Sequence, residues 1–285
     1  MKSCIFVMFV MYLLFVADGL KRSDGRKREK RASNIVVPCS AVQKKIPHLV
    51  STNKALRSKL LKCKQKVWCP REGPDGIYKI TIGRKKSTKV IEASCKSCGW
   101  MVIQRRLDGH VDFNKSWTEY KDGFGLIMKG EYFIGLENLH IITETKQYEL
   151  FITLRDGNDN GGHARYDNFK IGNEKEEFEL KSLGKYSGTA GDSLRSHEKM
   201  KFTTFDRDND LSDSNCGIPY YSGWWYHNCA TSNLNAKWYK GGIKNGHGFG
   251  ISWDNMTAVD GSFSKKTLVF VEMIIKPKSC KIIEN

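Results

Sequence analysis

An α+β fold arranged around an antiparallel sheet is what this 285-residue sequence predicts, and three observations predict it. Runs such as Gly76–Ile82, Trp100–Gln104, Tyr148–Leu154 and Leu268–Ile275 are short and rich in β-branched and aromatic residues, as strands are. Turn residues separate them and helical periodicity is scarce. From Cys63 to Cys280 about 220 residues pass without a low-complexity break, the length of one large domain.

The chain opens with Met1-Lys2, an apolar run from Cys4 to Val16, and Ala17-Asp18-Gly19. That run is too short to cross a bilayer and gives way at once to polar sequence, so residues 1–19 read as a signal peptide and the product as secreted and extracellular. Residues 20–38 follow as a basic segment too charged and too poor in apolar side chains to fold. Its Arg28-Glu29-Lys30-Arg31 matches the R-x-K-R pattern cut by secretory convertases, with a chance match in a basic run as the alternative.

The net charge of +16 suggests nucleic acid until it is located. Residues 20–90 hold 21 Lys/Arg against 4 Asp/Glu, whereas residues 91–285 hold 25 against 26. A secreted chain with basicity confined to its N-terminal third points to heparin-like polyanions, and no nucleic-acid partner is expected.

Across residues 39–62 a second pattern appears. Cys39, Val42, Ile46, Leu49, Asn53, Leu56, Leu60 and Cys63 recur at spacings of three and four, the seam of a short coiled coil with Asn53 at an a position. Pro47 interrupts it, leaving an uninterrupted helix from about His48 to Lys62. A single amphipathic helix packed on its own domain accounts for the same stripe.

Of nine cysteines, Cys4 leaves with the signal and eight remain, an even number suited to a disulfide framework. Zinc is the competing reading of Cys95-x-x-Cys98, but Cys63 and Cys69 lie too far apart to complete the usual motif. Asn114-Lys-Ser116 and Asn255-Met-Thr257 are acceptor triplets for N-glycosylation. No G-x-S-x-G occurs, and His197-Glu198 does not continue to H-E-x-x-H, so no catalytic constellation is expected.

Gly99-Trp-Met-Val-Ile-Gln-Arg-Arg-Leu-Asp-Gly109 resembles the signature of the fibrinogen C-terminal domain. Gly130-Glu-Tyr-Phe-Ile-Gly-Leu-Glu-Asn-Leu-His140, Tyr186–Asp192, Phe202–Asp210, Gly223-Trp-Trp-Tyr226 and Ser232–Asn235 follow in the family's order. The resemblance covers residues 63–280 and implies a disulfide-tied N-terminal lobe, a central antiparallel sheet with short helices, and a loop-rich lobe for calcium and ligand.

By this resemblance Ca²⁺ takes the carboxylates of Asp208 and Asp210 and the main-chain oxygens of Ser212 and Ser214, a hard-oxygen set of the kind the ion prefers. Asp206 is then a cap or turn residue. Cys216 and Cys229 match the family's C-terminal disulfide, and Cys63 or Cys69 is expected to pair with Cys95 or Cys98, giving two N-terminal bridges. The ligand pocket is expected at Tyr220, Asn228, Cys229, Ala230, Trp238, Tyr239 and Phe249, with Trp224 and Trp225 packed in the core.

Pocket-bearing members commonly carry histidine after the second cysteine, where this chain has Ala230, and a basic residue where it has Asn228. Alanine offers no side-chain hydrogen bond, a loss of about 1 to 3 kcal/mol for a polar ligand. The first expectation is ficolin-like or tachylectin-like recognition of acetylated glycans or microbial surfaces. The second is an angiopoietin-like or matrix protein whose domain binds a cell-surface receptor. Assembly is open to an early check, because a coiled-coil seam bridged by Cys39 makes a covalent homo-oligomer and a self-packed helix does not. Non-reducing electrophoresis of secreted protein is expected to show a dimer or trimer band that Cys39→Ser removes; a monomer band unchanged by that substitution marks the self-packed helix.

Overall fold

The computed structural model describes residues 68–84, 87–128, 130–242, 249–254 and 267–278. The expected signal peptide, basic segment and helical seam, with Cys39, Cys63, Cys280 and Asn255, lie outside the described residues.

Four predicted runs are strands: β1 (Gly76–Arg84), β3 (Trp100–Arg106), β6 (Tyr148–Asp156) and β12 (Leu268–Pro277). Between the first two lies β2 (Ser87–Lys96), and after β6 comes β7 (Gly161–Ile171); neither was legible as a strand. The main sheet runs β1-β2-β3-β12-β6-β7; β5 (Tyr132–Phe133) pairs with β3 and with β4 (Phe124–Gly125), and β8 (Leu180–Ser182) and β9 (Tyr186–Gly188) both pair with β7. The last long strand in sequence is therefore central, hydrogen-bonded to β3 on one side and β6 on the other. Every ladder within this sheet is antiparallel, including the two that β12 makes with strands far from it in sequence.

One face of the sheet forms the core. Met101, Leu150, Ile152, Leu154, Ala164, Tyr166, Val271, Met273 and Ile275 are buried at alternate strand positions. Helix α2 (Leu136–Thr143) packs against β1 and β7 through the buried Leu136, Leu139 and Ile142. Helix α1 (Trp117–Asp122) starts at Ser116, whose hydroxyl accepts from the Glu119 amide while the Glu119 carboxylate accepts from the Ser116 amide. That reciprocal cap satisfies two amides that the first helical turn leaves without partners. It also commits the hydroxyl of the Asn114 acceptor triplet to a structural role.

The N-terminal bridge is Cys69–Cys95, with Cα atoms 5.4 Å apart. Cys98, expected in a second bridge, is instead a free, exposed thiol. The reason is directional: Cys95 lies opposite Met101 on the core side of β2, whereas Cys98 follows in a tight turn at φ 63° and faces solvent. Beside the bridge, the Trp68 indole donates to the Gly99 carbonyl at 2.7 Å, and its ring lies 5.0 Å from that of Tyr148, tilted by 50°. After β12 the Lys278 amide donates to the Gln147 carbonyl, so Lys278 lies at the same end of the sheet as the start of β3.

Arg106 and Glu131 form an ion pair whose side chains are 1% and 0% exposed. The Glu131 carboxylate accepts from the amides of Leu107 (2.9 Å) and Val111 (3.0 Å) and from Arg106 Nε at 3.4 Å. Arg106 Nη1 donates to the carbonyls of Ala236 (2.6 Å) and Leu234 (3.3 Å), and its guanidinium lies 3.9 Å over the Phe113 ring. Burial pulls the arginine pKa down, and the adjacent carboxylate opposes that pull. Removing one member leaves the other charged and buried, so Glu131→Leu is expected to lower stability by about 3 to 5 kcal/mol. Urea unfolding of the variant beside wild type measures the loss, and a change below about 1 kcal/mol would falsify this assignment.

Candidate functional site

The loop-rich lobe spans residues 202–254, and among its described residues has little regular structure beyond α3 (Gly217–Tyr220) and the two-residue pair β10 (Ser232–Asn233) with β11 (Ser252–Trp253). Side chains hold it instead. The buried Asn233 amide donates to Ser222 Oγ (3.0 Å) and Tyr226 Oη (2.8 Å), and the Asn235 amide donates to the Gly223 carbonyl at 2.9 Å. Trp224 and Trp225 are buried as expected, with the Trp225 indole donating to the Phe178 carbonyl.

At the expected calcium loop Asp206 acts as a local cap. Its Oδ1 accepts from the Trp117 amide at the start of α1 (2.9 Å) and from the Thr204 hydroxyl (2.7 Å). Asp210 accepts from the amides of Ser212 and Cys216, both at 3.0 Å, and its own amide donates to Asp208 Oδ1 at 3.3 Å. Burial raises the Asp210 pKa; the two amide bonds lower it, and the nearby Asp208 charge raises it further. No described residue donates to the main-chain oxygens of Ser212 or Ser214. Among the described residues no group of three or more His, Cys, Asp or Glu side chains converges. The expected set contains only two carboxylates, and two adjacent carboxylates with two uncommitted carbonyls suit a hard divalent cation.

Cys216–Cys229 closes the loop with Cα atoms 5.7 Å apart. The Asn228–Cys229 peptide bond is cis, and the His227 amide donates to the Cys229 carbonyl at 2.8 Å. Next to the bridge the Tyr220 ring stacks on Phe249 at 4.4 Å and tilts against Tyr226 at 5.3 Å. Lys237 Nζ lies 5.7 Å from the Tyr221 ring and 5.5 Å from Tyr239. Tyr220, Tyr239 and Phe249 therefore share one neighbourhood, as the sequence suggested.

Trp238 does not join them. Its indole donates to the Val269 carbonyl at 2.8 Å, and its ring lies under Gly109, where an added Cβ would come within 2.7 Å. Gly109 has φ +74°, so a side chain there meets both a backbone penalty and the tryptophan. Asn228 is exposed and Ala230 half-buried. What sequence reading missed is Ile218 (59% exposed) on α3, which with Tyr221 (41%) and the expected Phe249 (47%) makes an apolar rim; the Tyr221 amide donates to Ile218 O and the Phe249 amide to Pro219 O. Ile218 and Pro219 beside a tyrosine pair were the available signal.

The model for fibrinogen beta and gamma chains, C-terminal globular domain, matches residues 62–278. The chain belongs to the fibrinogen C-terminal domain family. Angiopoietin-related protein 6 of Mus musculus is 40% identical over 202 residues, covering 70% of this chain and 43% of that protein. Fibrinogen-like protein 1 of Homo sapiens is 45% identical over 168 residues, 54% of each chain. The chain thus spans about half the length of the curated relatives it matches. Among solved structures, the fibrinogen-like globe domain of human ANGPTL2 has a TM-score of 0.65 at 38% identity, covering 72% of this chain and 93% of that one.

One buried group of this fibrinogen-like domain is poised to sense acid. The His197 ring is fully buried, with Nδ1 2.7 Å from the Trp225 carbonyl and Nε2 accepting from the Ser232 amide at 3.2 Å. These partners fix the neutral tautomer with its proton on Nδ1. The ring thereby clamps both ends of the segment that carries Cys229 and Ala230. Burial, with a smaller contribution from His227, pushes its pKa down to about 4 against the Trp225 bond. An unfolded histidine titrates near 6.5, so the neutral ring's contribution is complete above that pH and is lost as pH falls toward about 4. Between pH 6.5 and 5, above the usual carboxylate range, stability is expected to fall by up to about 2 kcal/mol, and His197→Gln is expected to flatten that slope in thermal melts.

Proposed function

We propose that this chain is a secreted, non-catalytic recognition protein whose fibrinogen-like domain binds a cell-surface protein receptor through the apolar rim of its C-terminal lobe. One observation carries the reading: Ile218, Tyr221 and Phe249 stand exposed on or beside α3, with Lys237 Nζ 5.7 Å from the Tyr221 ring. Exposed aromatic and aliphatic anchors flanked by charge are the composition of protein interfaces. Ala230, adjoining the disulfide, offers a polar sugar no side-chain anchor. The angiopoietin-related and fibrinogen-like relatives support receptor binding over an acetylated-glycan lectin. Secretion is supported by the apolar leader and by the two disulfides, which persist in oxidising compartments. The basic charge of residues 20–90 supports a heparin-like tether.

The glycan reading retains one favourable observation, the flat Tyr220–Phe249 stack at 4.4 Å, and a binding assay separates the two. Labelled protein is applied to cells with and without protease treatment, and with excess N-acetylglucosamine. Receptor binding predicts signal that protease removes, that the sugar leaves intact, and that Tyr221→Asp with Phe249→Asp weakens at least about tenfold. Displacement by the sugar would return the assignment to a lectin.

Calcium in this reading organises the Asp208–Ser214 loop and, through Cys216, the start of α3. Because an unfolded chain does not pre-arrange the ligands, calcium at a hundredfold excess over its dissociation constant is expected to stabilise the domain by about 2.7 kcal/mol. Thermal melts in calcium and in EDTA measure the gain, which Asp208→Ala with Asp210→Ala should abolish. Equal melting temperatures for wild type in the two buffers would remove the metal from the proposal.

A further inference from the structure

The outer face of the central sheet, opposite the core, carries an open groove of about 530 Å³ between β6, β7 and β12. It shares no lining residue with the loop lobe. Cross-strand partners share a face of a sheet, so the pairs Arg155 with Gly161 and Thr153 with His163 project together into it. We propose that this groove binds a carboxylate-bearing pyranose, the acidic unit of a glycan such as a hexuronate.

Shape and polarity come first. The Phe151 and His163 rings stack in parallel, with centroids 5.2 Å apart and planes 12° apart, and both line the groove. Phe270 closes one side, with the Arg155 guanidinium 5.0 Å from its ring. A pyranose presents a C–H face to such rings, while the Thr153 and Thr189 hydroxyls can bond its oxygens. The groove opens to water along its length, which suits a unit on a longer glycan better than a free apolar molecule.

Charge selects the acidic sugar. Among the described residues, the titratable side chains lining the groove are Arg155 and His163, and no carboxylate lines it. Of the carboxylates nearby, Glu272, opposite Thr153 across β6 and β12, is paired with Lys96 and Arg105. Asp156 is occupied within its own turn, accepting from the amides of Asn158 and Asn160 and from the Asn160 side chain. Asp159 meets Arg155 at 3.3 Å, but its side chain is 83% exposed, so a ligand carboxylate can exchange for it at little cost.

Gly161 is the third observation. Its φ lies outside the positive region, and an added Cβ would meet only the Leu154 carbonyl at 3.7 Å. Neither conformation nor packing demands glycine there. The missing side chain at this first position of β7 leaves the groove open beside Arg155.

The test titrates the full chain with methyl β-D-glucuronide and methyl β-D-glucoside, read by saturation-transfer NMR and calorimetry. The glucuronide is expected to bind at least about tenfold more tightly than the neutral glucoside, and Arg155→Gln to erase that preference. Gly161→Val, a residue suited to strands, is expected to keep the melting temperature and abolish binding of the acidic sugar. Tyr221→Asp leaves this binding intact, which separates the groove from the lobe. Equal affinity for the two sugars, no binding of either, or full glucuronide affinity in folded Gly161→Val would each overturn the proposal; should the valine variant lose its fold, Arg155→Gln decides alone.

Discussion

The buried pairing of Arg106 with Glu131 is the constraint on which the two halves of this domain depend. Arg106 ends β3 in the central sheet and binds the carbonyls of Leu234 and Ala236 in the loop lobe, while Glu131 collects the turn after β3. The lobe has almost no regular ladder of its own, so its carbonyls need donors from outside, and a guanidinium supplies several from one planar group. Asn233, Asn235 and His197 extend the same arrangement. Polar side chains replace secondary structure as the framework, and removing any of them leaves buried partners unmet.

That economy explains what the sequence made legible. β1, β3, β6 and β12 were readable because their apolar residues recur along short runs bounded by turns. β2 and β7 were not. Ser87-Thr-Lys-Val-Ile-Glu is mostly polar because most of its side chains are exposed, and β7 opens with two glycines and carries His163, Arg165 and Asp167 on alternate positions. Their strand character comes from neighbours that pair with them, a tertiary effect that composition does not carry.

The candidate site divides in the same way. Asp206 as a cap, the Cys216–Cys229 bridge and the buried tryptophans followed from matched motifs. Trp238 did not, because sequence proximity to Tyr239 says nothing about which side of the chain a ring faces; its indole turns toward Val269 and Gly109. Cys98 stands three residues from Cys95, but the turn at φ 63° sends it outward. The exposure of Ile218 was invisible for the opposite reason: Ile218 reads as core in any hydropathy scheme, and only the structure places it in water.

The two points at which the chain enters and leaves the described sheet have a mechanical consequence. Tension entering through Trp68 passes across Cys69–Cys95 into the start of β3, so the β1–β2 hairpin lies inside a covalent loop and carries almost none of it. Tension leaving through Lys278 acts on the end of β12 that lies beside that same start, where Ile275 faces Met101. Force applied between these points peels β3 from β12 one hydrogen-bonded rung after another instead of loading all the rungs in shear. Attachment at those two points therefore loads the central ladder in its weaker direction.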